Sequence, residues 1–159
     1  MSETPAITLR EQGPVENRYS FLIHRINAHL ARLCNPMFRR WQVDIDLARM
    51  LAVLDQNGSM AAGDIVRVMA MPQSTVSHQL KRLEELGYVG RIPDEKDSRV
   101  IRVSLTESGQ AVAGESNALS REINDLLEVA LADLDPQTFA SGLARIDSRL
   151  AALTSVGWA

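Results

Sequence analysis

From Val15 onward, apolar side chains return every three or four positions, at Tyr19, Leu22, Ile26, Leu30, Leu33 and Met37. That spacing marks one face of a long helix. Pro36 lies within the end of the pattern and is expected to kink or stop it, because proline lacks an N–H and crowds the preceding turn. Asp44 is placed to cap a second helix whose inward face carries Leu47, Met50, Leu51 and Leu54, with Asn57-Gly58 closing it. A short helical stretch, AAGDIVRVMA, puts Ile65, Val68 and Met69 inward. After a brief turn at Ala70-Met71, Pro72 opens another helix with Val76, Leu80, Leu83 and Leu86 on one face and Gly87 as its stop.

The pattern changes at Tyr88. YVGRI and RVIRVSL are rich in β-branched residues and flank the polar turn PDEKDS, which reads as a hairpin with a charged, exposed loop. Thr106 then caps a long amphipathic helix bearing Val112, Leu119, Ile123, Leu126 and Ala130. Asp135-Pro136 restarts the chain as a last helix, with Phe139, Leu143, Ile146, Leu150 and Leu153 spaced 4, 3, 4, 3. The fold class is therefore mostly α with a small β wing.

Charge changes this picture by its distribution. The 159 residues carry a formal charge of −3. Positions 61–105 hold seven cations against six acids, whereas from 106 on there are three arginines and eight acids. A near-neutral centre with basic tips precedes an acidic end, and a nucleic-acid reader needs its cations only at the contact surface. The single cysteine, Cys34, excludes an internal disulfide and reads as a half-buried structural helix residue. The opening MSETPAITLREQGP lacks the charged-then-apolar order of a signal peptide, and no apolar run approaches a membrane span. A cytoplasmic protein is expected, with no membrane contact.

Two short helices joined by a tight turn and followed by a hairpin describe a winged helix-turn-helix. The apolar stripe of the second helix leaves Gln73, Ser74, Thr75, Ser77, His78, Gln79, Lys81 and Arg82 facing elsewhere. Short hydrogen-bonding side chains near a helix start can approach base edges in a major groove. Lys81 and Arg82, a turn later, suit phosphates, contacts that position without reading sequence. Lys96 and Arg99 sit at the hairpin tip, where a flexible cation can enter a minor groove. Taken alone, Ser74 or Thr75 reads equally well as a helix cap, and the hairpin loop as a solvated turn; their combination favours DNA.

In that order and spacing, the segment GDIVRVMAMPQSTVSHQLKRLEELGYVGRIPDEKDSRVIRVSLTESG resembles the MarR family of winged-helix regulators. The resemblance runs from about Asp44 to Ala113. It is carried by Leu80, Leu83, Gly87, Val89 and Arg91, by Asp97-Ser98-Arg99, and by Leu105 to Gly109. It implies that Ser74, Thr75, Ser77 and His78 enter the major groove, that Arg99 is the minor-groove residue, and that Asp97 shapes the loop. It also implies a homodimer on an inverted-repeat operator in double-stranded DNA, its terminal helices interlocked between subunits. The domains then read as a flexible arm (1–14), an N-terminal dimerisation helix region (15–43), a winged helix-turn-helix DNA-binding domain (44–105) and C-terminal dimerisation helices (106–159). Two departures stand out. Ala61-Ala62-Gly63 replaces the polar residue that usually opens the motif's first helix, and His78 stands where many relatives carry arginine.

The resemblance further implies a repressor released by a small aromatic or phenolic ligand, with His24, Arg25, Trp41 and Arg49 near the expected junction. The family's peroxide-sensing cysteine would fall near Ser20 and not at Cys34, which disfavours oxidation sensing. No cofactor or metal is expected. The histidines at 24, 29 and 78 are scattered and no glycine-rich phosphate loop occurs, so the chain does not read as an enzyme. The rival is a winged helix used for protein assembly, with Lys81, Arg82 and Arg99 facing an acidic partner.

Overall fold

The computed structural model describes residues 14–94, 97 and 99–156. They fall into two compact units, the first ending at Gly114 and the second beginning at Glu115.

In the first unit, a 3₁₀ turn at Val15–Asn17 precedes helix α1 (Tyr19–Phe38). Pro36 does not end this helix, which continues to Phe38 before tightening into a second 3₁₀ turn at Arg39–Trp41. The proline stands so near the helix end that its missing N–H removes one bond of the last turn. The periodic seam is not what α1 buries within this chain. Ile26, Leu33 and Met37 are exposed, whereas Cys34 and Phe38 are inside. Cys34, at 2% exposure, is deeper than the half-buried position its sequence context indicates, because α2 (Ile45–Asn57) packs against α1 there.

Helix α2 starts where the sequence places it. Asp44 Oδ1 accepts the N–H of Leu47 at 2.9 Å, and Asn35 Oδ1 accepts the N–H of Ile45 at 2.9 Å. Two of the amides that a helix start leaves unpaired are thus satisfied, one of them from α1. Leu47, Met50, Leu51 and Leu54 are all buried, and Gly58 (φ 71°) takes the chain out of the helix.

A strand that the sequence pattern does not reveal follows, β1 (Met60–Ala61). It pairs antiparallel with β3 (Ile101–Leu105), which pairs antiparallel with β2 (Val89–Pro93), in the order β1-β3-β2. Between β1 and β2 run α3 (Ala62–Met69) and α4 (Gln73–Glu85). Ile65, Val76, Leu80, Leu83 and Val103 meet Leu51 and Leu54 in one core. Full burial of each such side chain stabilises by about 1.5–3 kcal/mol. Val68 departs from expectation: it is 54% exposed, because α3 spans only two turns and Ile65 takes its inward direction.

Helix α5 (Glu107–Ala130) opens on Thr106, whose Oγ1 accepts the N–H of Gly109 at 3.0 Å and donates to the Gly87 carbonyl at 2.7 Å. Gly109 is obligatory there, since a Cβ would lie 1.9 Å from the Tyr88 carbonyl oxygen.

The second unit comprises the rest of α5 and helix α6 (Pro136–Val156). Thr138 donates to Asp135 Oδ2 from its N–H at 2.7 Å and its hydroxyl at 2.6 Å, which holds the Asp135 carboxyl below its ordinary range. Phe139, Leu143, Ile146 and Leu150 are exposed along α6. Leu126, expected inward, is exposed as well, since nothing within this unit covers it. Among the described residues no helix is long and apolar enough to cross a membrane, and no cluster of His, Cys, Asp and Glu is arranged to hold a metal.

Candidate nucleic-acid interface

The reading head is assembled from α3, α4 and the β2–β3 hairpin. Helix α3 lacks a side-chain cap, as the Ala61-Ala62-Gly63 sequence implies. Its entry is fixed instead by the ladder, where Ala61 pairs with Arg102. The turn into α4 passes through Ala70 at φ 50°, a left-handed conformation that few non-glycine residues adopt.

Pro72 caps α4 without a side-chain bond, so Ser74 and Thr75 lie inside the helix and neither is its cap. Val76, Leu80 and Leu83 turn into the core, which leaves Ser74, Thr75, Ser77, His78, Lys81 and Arg82 exposed on the remaining face. The structure therefore brings six of the eight sequence-predicted contact residues onto one helix surface. Lys81 shares its charge with Glu85 at 4.0 Å, one turn on. Such an exposed pair is worth well under about 1 kcal/mol and leaves the ammonium available.

Helix α4 ends in a Schellman arrangement. Tyr88 N–H donates to the Leu83 carbonyl and Gly87 N–H to the Glu84 carbonyl, both at 2.9 Å, with Gly87 at φ 75°. Glu84 then reaches forward to the hairpin, accepting from Arg91 Nε at 2.5 Å and Nη2 at 3.3 Å. The same carboxylate raises the Arg91 pKa above its ordinary value.

In the wing, β2 and β3 run in register from Val89↔Leu105 to Pro93↔Ile101. Beyond Pro93, Asp94 N–H donates to the Val100 carbonyl at 2.8 Å. Asp94 Oδ1 accepts the N–H of Asp97 at 3.1 Å, and Asp97 Oδ1 accepts the N–H of Arg99 at 3.0 Å. Arg99 is exposed at this tip, its backbone held by the aspartate two residues before it. Lys96 and Ser98 lie outside the described residues.

A cleft of about 450 Å³ opens beside the readers. Arg39, Gln42 and Asp44 line one side, and Thr75, His78, Gln79 and Arg82 the other. Gln79 Oε1 is buried there without a hydrogen-bond partner among the described residues. The residues suggested for an effector lie elsewhere. Trp41 is buried beneath the Arg40 guanidinium, 3.9 Å from the ring centre; Arg49 pairs with Asp46; Arg25 lies over Phe21; His24 is exposed. Sequence reasoning missed Arg39, although the Arg39-Arg40 doublet before the Asp44 cap was a visible signal. It also missed Arg102, which ties the wing to the end of α2.

Comparison with known proteins agrees with this geometry. Residues 48–109 match the winged helix DNA-binding domain family. A probable transcriptional regulator from Pseudomonas aeruginosa superposes with a TM-score of 0.71 at 27% identity, over 84% of this chain and 99% of that one. The chain carries a winged helix DNA-binding domain and shares the fold of MarR from E. coli, with a TM-score of 0.62 at 22% identity over 84% of this chain and 97% of that one. The transcriptional regulator PecS of Dickeya dadantii is 27% identical over 57% of this chain. The chain spans little more than half of PecS, 56% of its length. The MepR–DNA complex of Staphylococcus aureus has the same fold, with a TM-score of 0.72 at 19% identity over 88% of this chain and 99% of that one.

Proposed function

We propose that this chain is a regulator of the MarR family: a homodimeric, sequence-specific repressor that binds an inverted-repeat operator in double-stranded DNA. The observation carrying the reading is the exposed face of α4, where Ser74, Thr75, Ser77 and His78 stand together with Lys81 and Arg82 a turn further on. The first four are the proposed readers of base edges, and the two cations the proposed phosphate contacts. Arg99, with Lys96 beside it in sequence, is the proposed minor-groove contact of the wing.

Dimerisation is supported by the apolar residues left exposed on α1 and α6. An apolar face left exposed along each of these helices is the kind of surface that marks an interaction site. Release by a small aromatic or phenolic carboxylate is the proposed regulatory step. The cleft between Asp44 and α4 supports it, because Arg39, His78 and Arg82 would meet an anion beside the readers.

The test is selection of a binding site from a random duplex library, followed by titration against a scrambled duplex at several salt concentrations. A repressor of this kind selects an inverted repeat and discriminates by about 10³-fold or more. Recovery of no sequence, with weak and equal binding to both duplexes, would remove the reading.

A further inference from the structure

Arg102 is the second residue of β3, and its guanidinium is committed on both sides. Nε donates to Ser59 Oγ at 3.0 Å, Nη2 donates to the Ser59 carbonyl, and Nη1 donates to Asp94 Oδ2 at 3.0 Å. Ser59 directly follows Gly58, which ends α2, and Asp94 is where the wing leaves β2. The arginine therefore joins two segments, 43 and 8 residues away, that flank β1 and β2 on either side of β3.

The chain of contacts does not stop at Asp94. Its other oxygen, Oδ1, accepts the N–H of Asp97, and Asp97 Oδ1 in turn accepts the N–H of Arg99. A continuous series of hydrogen bonds thus runs from the end of α2 through Arg102, Asp94 and Asp97 to the backbone of the wing cation. Arg91 and Arg67 differ. Each is paired with an acid, Glu84 or Asp64, that makes no such onward connection to the wing tip among the described residues.

We propose that Arg102 is a positioning residue for DNA binding: it holds Asp97 and Arg99 in the arrangement that presents Arg99, and does not itself touch DNA. The inference rests on the reading that Arg99 meets DNA. Its physical basis is preorganisation. A wing already held in place loses less conformational freedom on binding than one that must order at that moment. A planar guanidinium is suited to the task, since it can fork between two partners at fixed angles where an ammonium cannot.

A double-mutant cycle tests it, using the selected operator duplex and a scrambled duplex at several salt concentrations. Arg102→Ala should weaken operator binding roughly three- to tenfold in the wild-type background. In an Arg99→Ala background it should add no further loss, because a residue that acts through Arg99 has nothing left to position. Arg102→Lys should not restore affinity. Should Arg102→Ala fail to fold by circular dichroism, Ser59→Ala and Asp94→Asn should each show a smaller loss with the same dependence on Arg99. The first removes the Nε acceptor and keeps the carbonyl bond, and the second removes the charged acceptor of Nη1. Equal losses in both backgrounds would overturn the proposal, since Arg102 would then act independently of Arg99. If Arg99→Ala alone binds like wild type, the wing reading itself fails, and the positioning role with it.

Discussion

The hydroxyl of Tyr88 donates to the backbone carbonyl of Trp41 at 3.1 Å, across 47 residues of sequence. Tyr88 is the first residue past the glycine that ends α4, and Trp41 is the last of the 3₁₀ turn that follows α1. One hydrogen bond therefore ties the exit of the reading helix to the exit of the first helix. Tyr88→Phe removes the donor and keeps the ring. It should lower stability by about 1 kcal/mol, read as a shift in the urea midpoint with an unchanged m-value. No shift would mean that the contact carries no net stability.

At Gly109 the expected effect is larger. Any Cβ there meets the Tyr88 backbone carbonyl, which is itself held by the N–H of Thr106 at 3.0 Å and has little room to move. Gly109→Ala should destabilise by about 2–3 kcal/mol, the upper range for overpacking. Gly114→Ala, in the same helix with open space around its Cα, is the control and should be neutral or slightly stabilising.

What the sequence made legible is what is decided locally. The Asp44 cap acts over three residues, and the inward face of α2 follows from helical period alone, so both are readable in one dimension. The exposed face of α4 is readable for the same reason. Features set by distant partners were not. Strand β1 has two residues and exists because β3, some 40 positions on, supplies its ladder. The depth of Cys34 depends on α2 packing, and the direction of Val68 on which single side chain a two-turn helix can bury. Arg102 looks in sequence like any strand cation. Only the fold brings Ser59 and Asp94 to it.

Cys34 should be chemically quiet. Burial pushes its thiol pKa up, an effect that the positive charge of Arg49 only partly offsets. In the folded protein it should react with iodoacetamide far more slowly than in urea, since the thiolate is the nucleophile. Because the folded pKa is raised, the stability linked to the neutral thiol is complete below the ordinary thiol range and declines as pH rises through the raised value. Cys34→Ser should retain any effector-triggered release. Peroxide-triggered release that is present in wild type and absent in the variant would contradict this.

The proposed dimer rests on residues exposed along α6. Leu143→Asp combined with Leu150→Asp would place unpaired charge in a buried seam, at several kcal/mol per charge. Light scattering should then report monomer or aggregate in place of dimer. A folded, unchanged dimer would exclude this face from the interface.

The central claim is that α4 reads sequence while the wing supplies a largely nonspecific contact. The direct measurement is a titration of wild type, His78→Ala and Arg99→Ala against the selected operator, its single-base variants and a scrambled duplex, each at several salt concentrations. His78→Ala should relax preference at particular base pairs by about 1–3 kcal/mol. Arg99→Ala should weaken operator and scrambled duplex more evenly and lower the salt slope by about one unit. Any residual sequence effect at Arg99 should follow minor-groove width, with narrow A·T tracts losing most. Wild-type binding of both duplexes by Arg99→Ala would take the wing off the DNA. A loss confined to one base pair for Arg99→Ala, with none for His78→Ala, would show the two roles to be reversed.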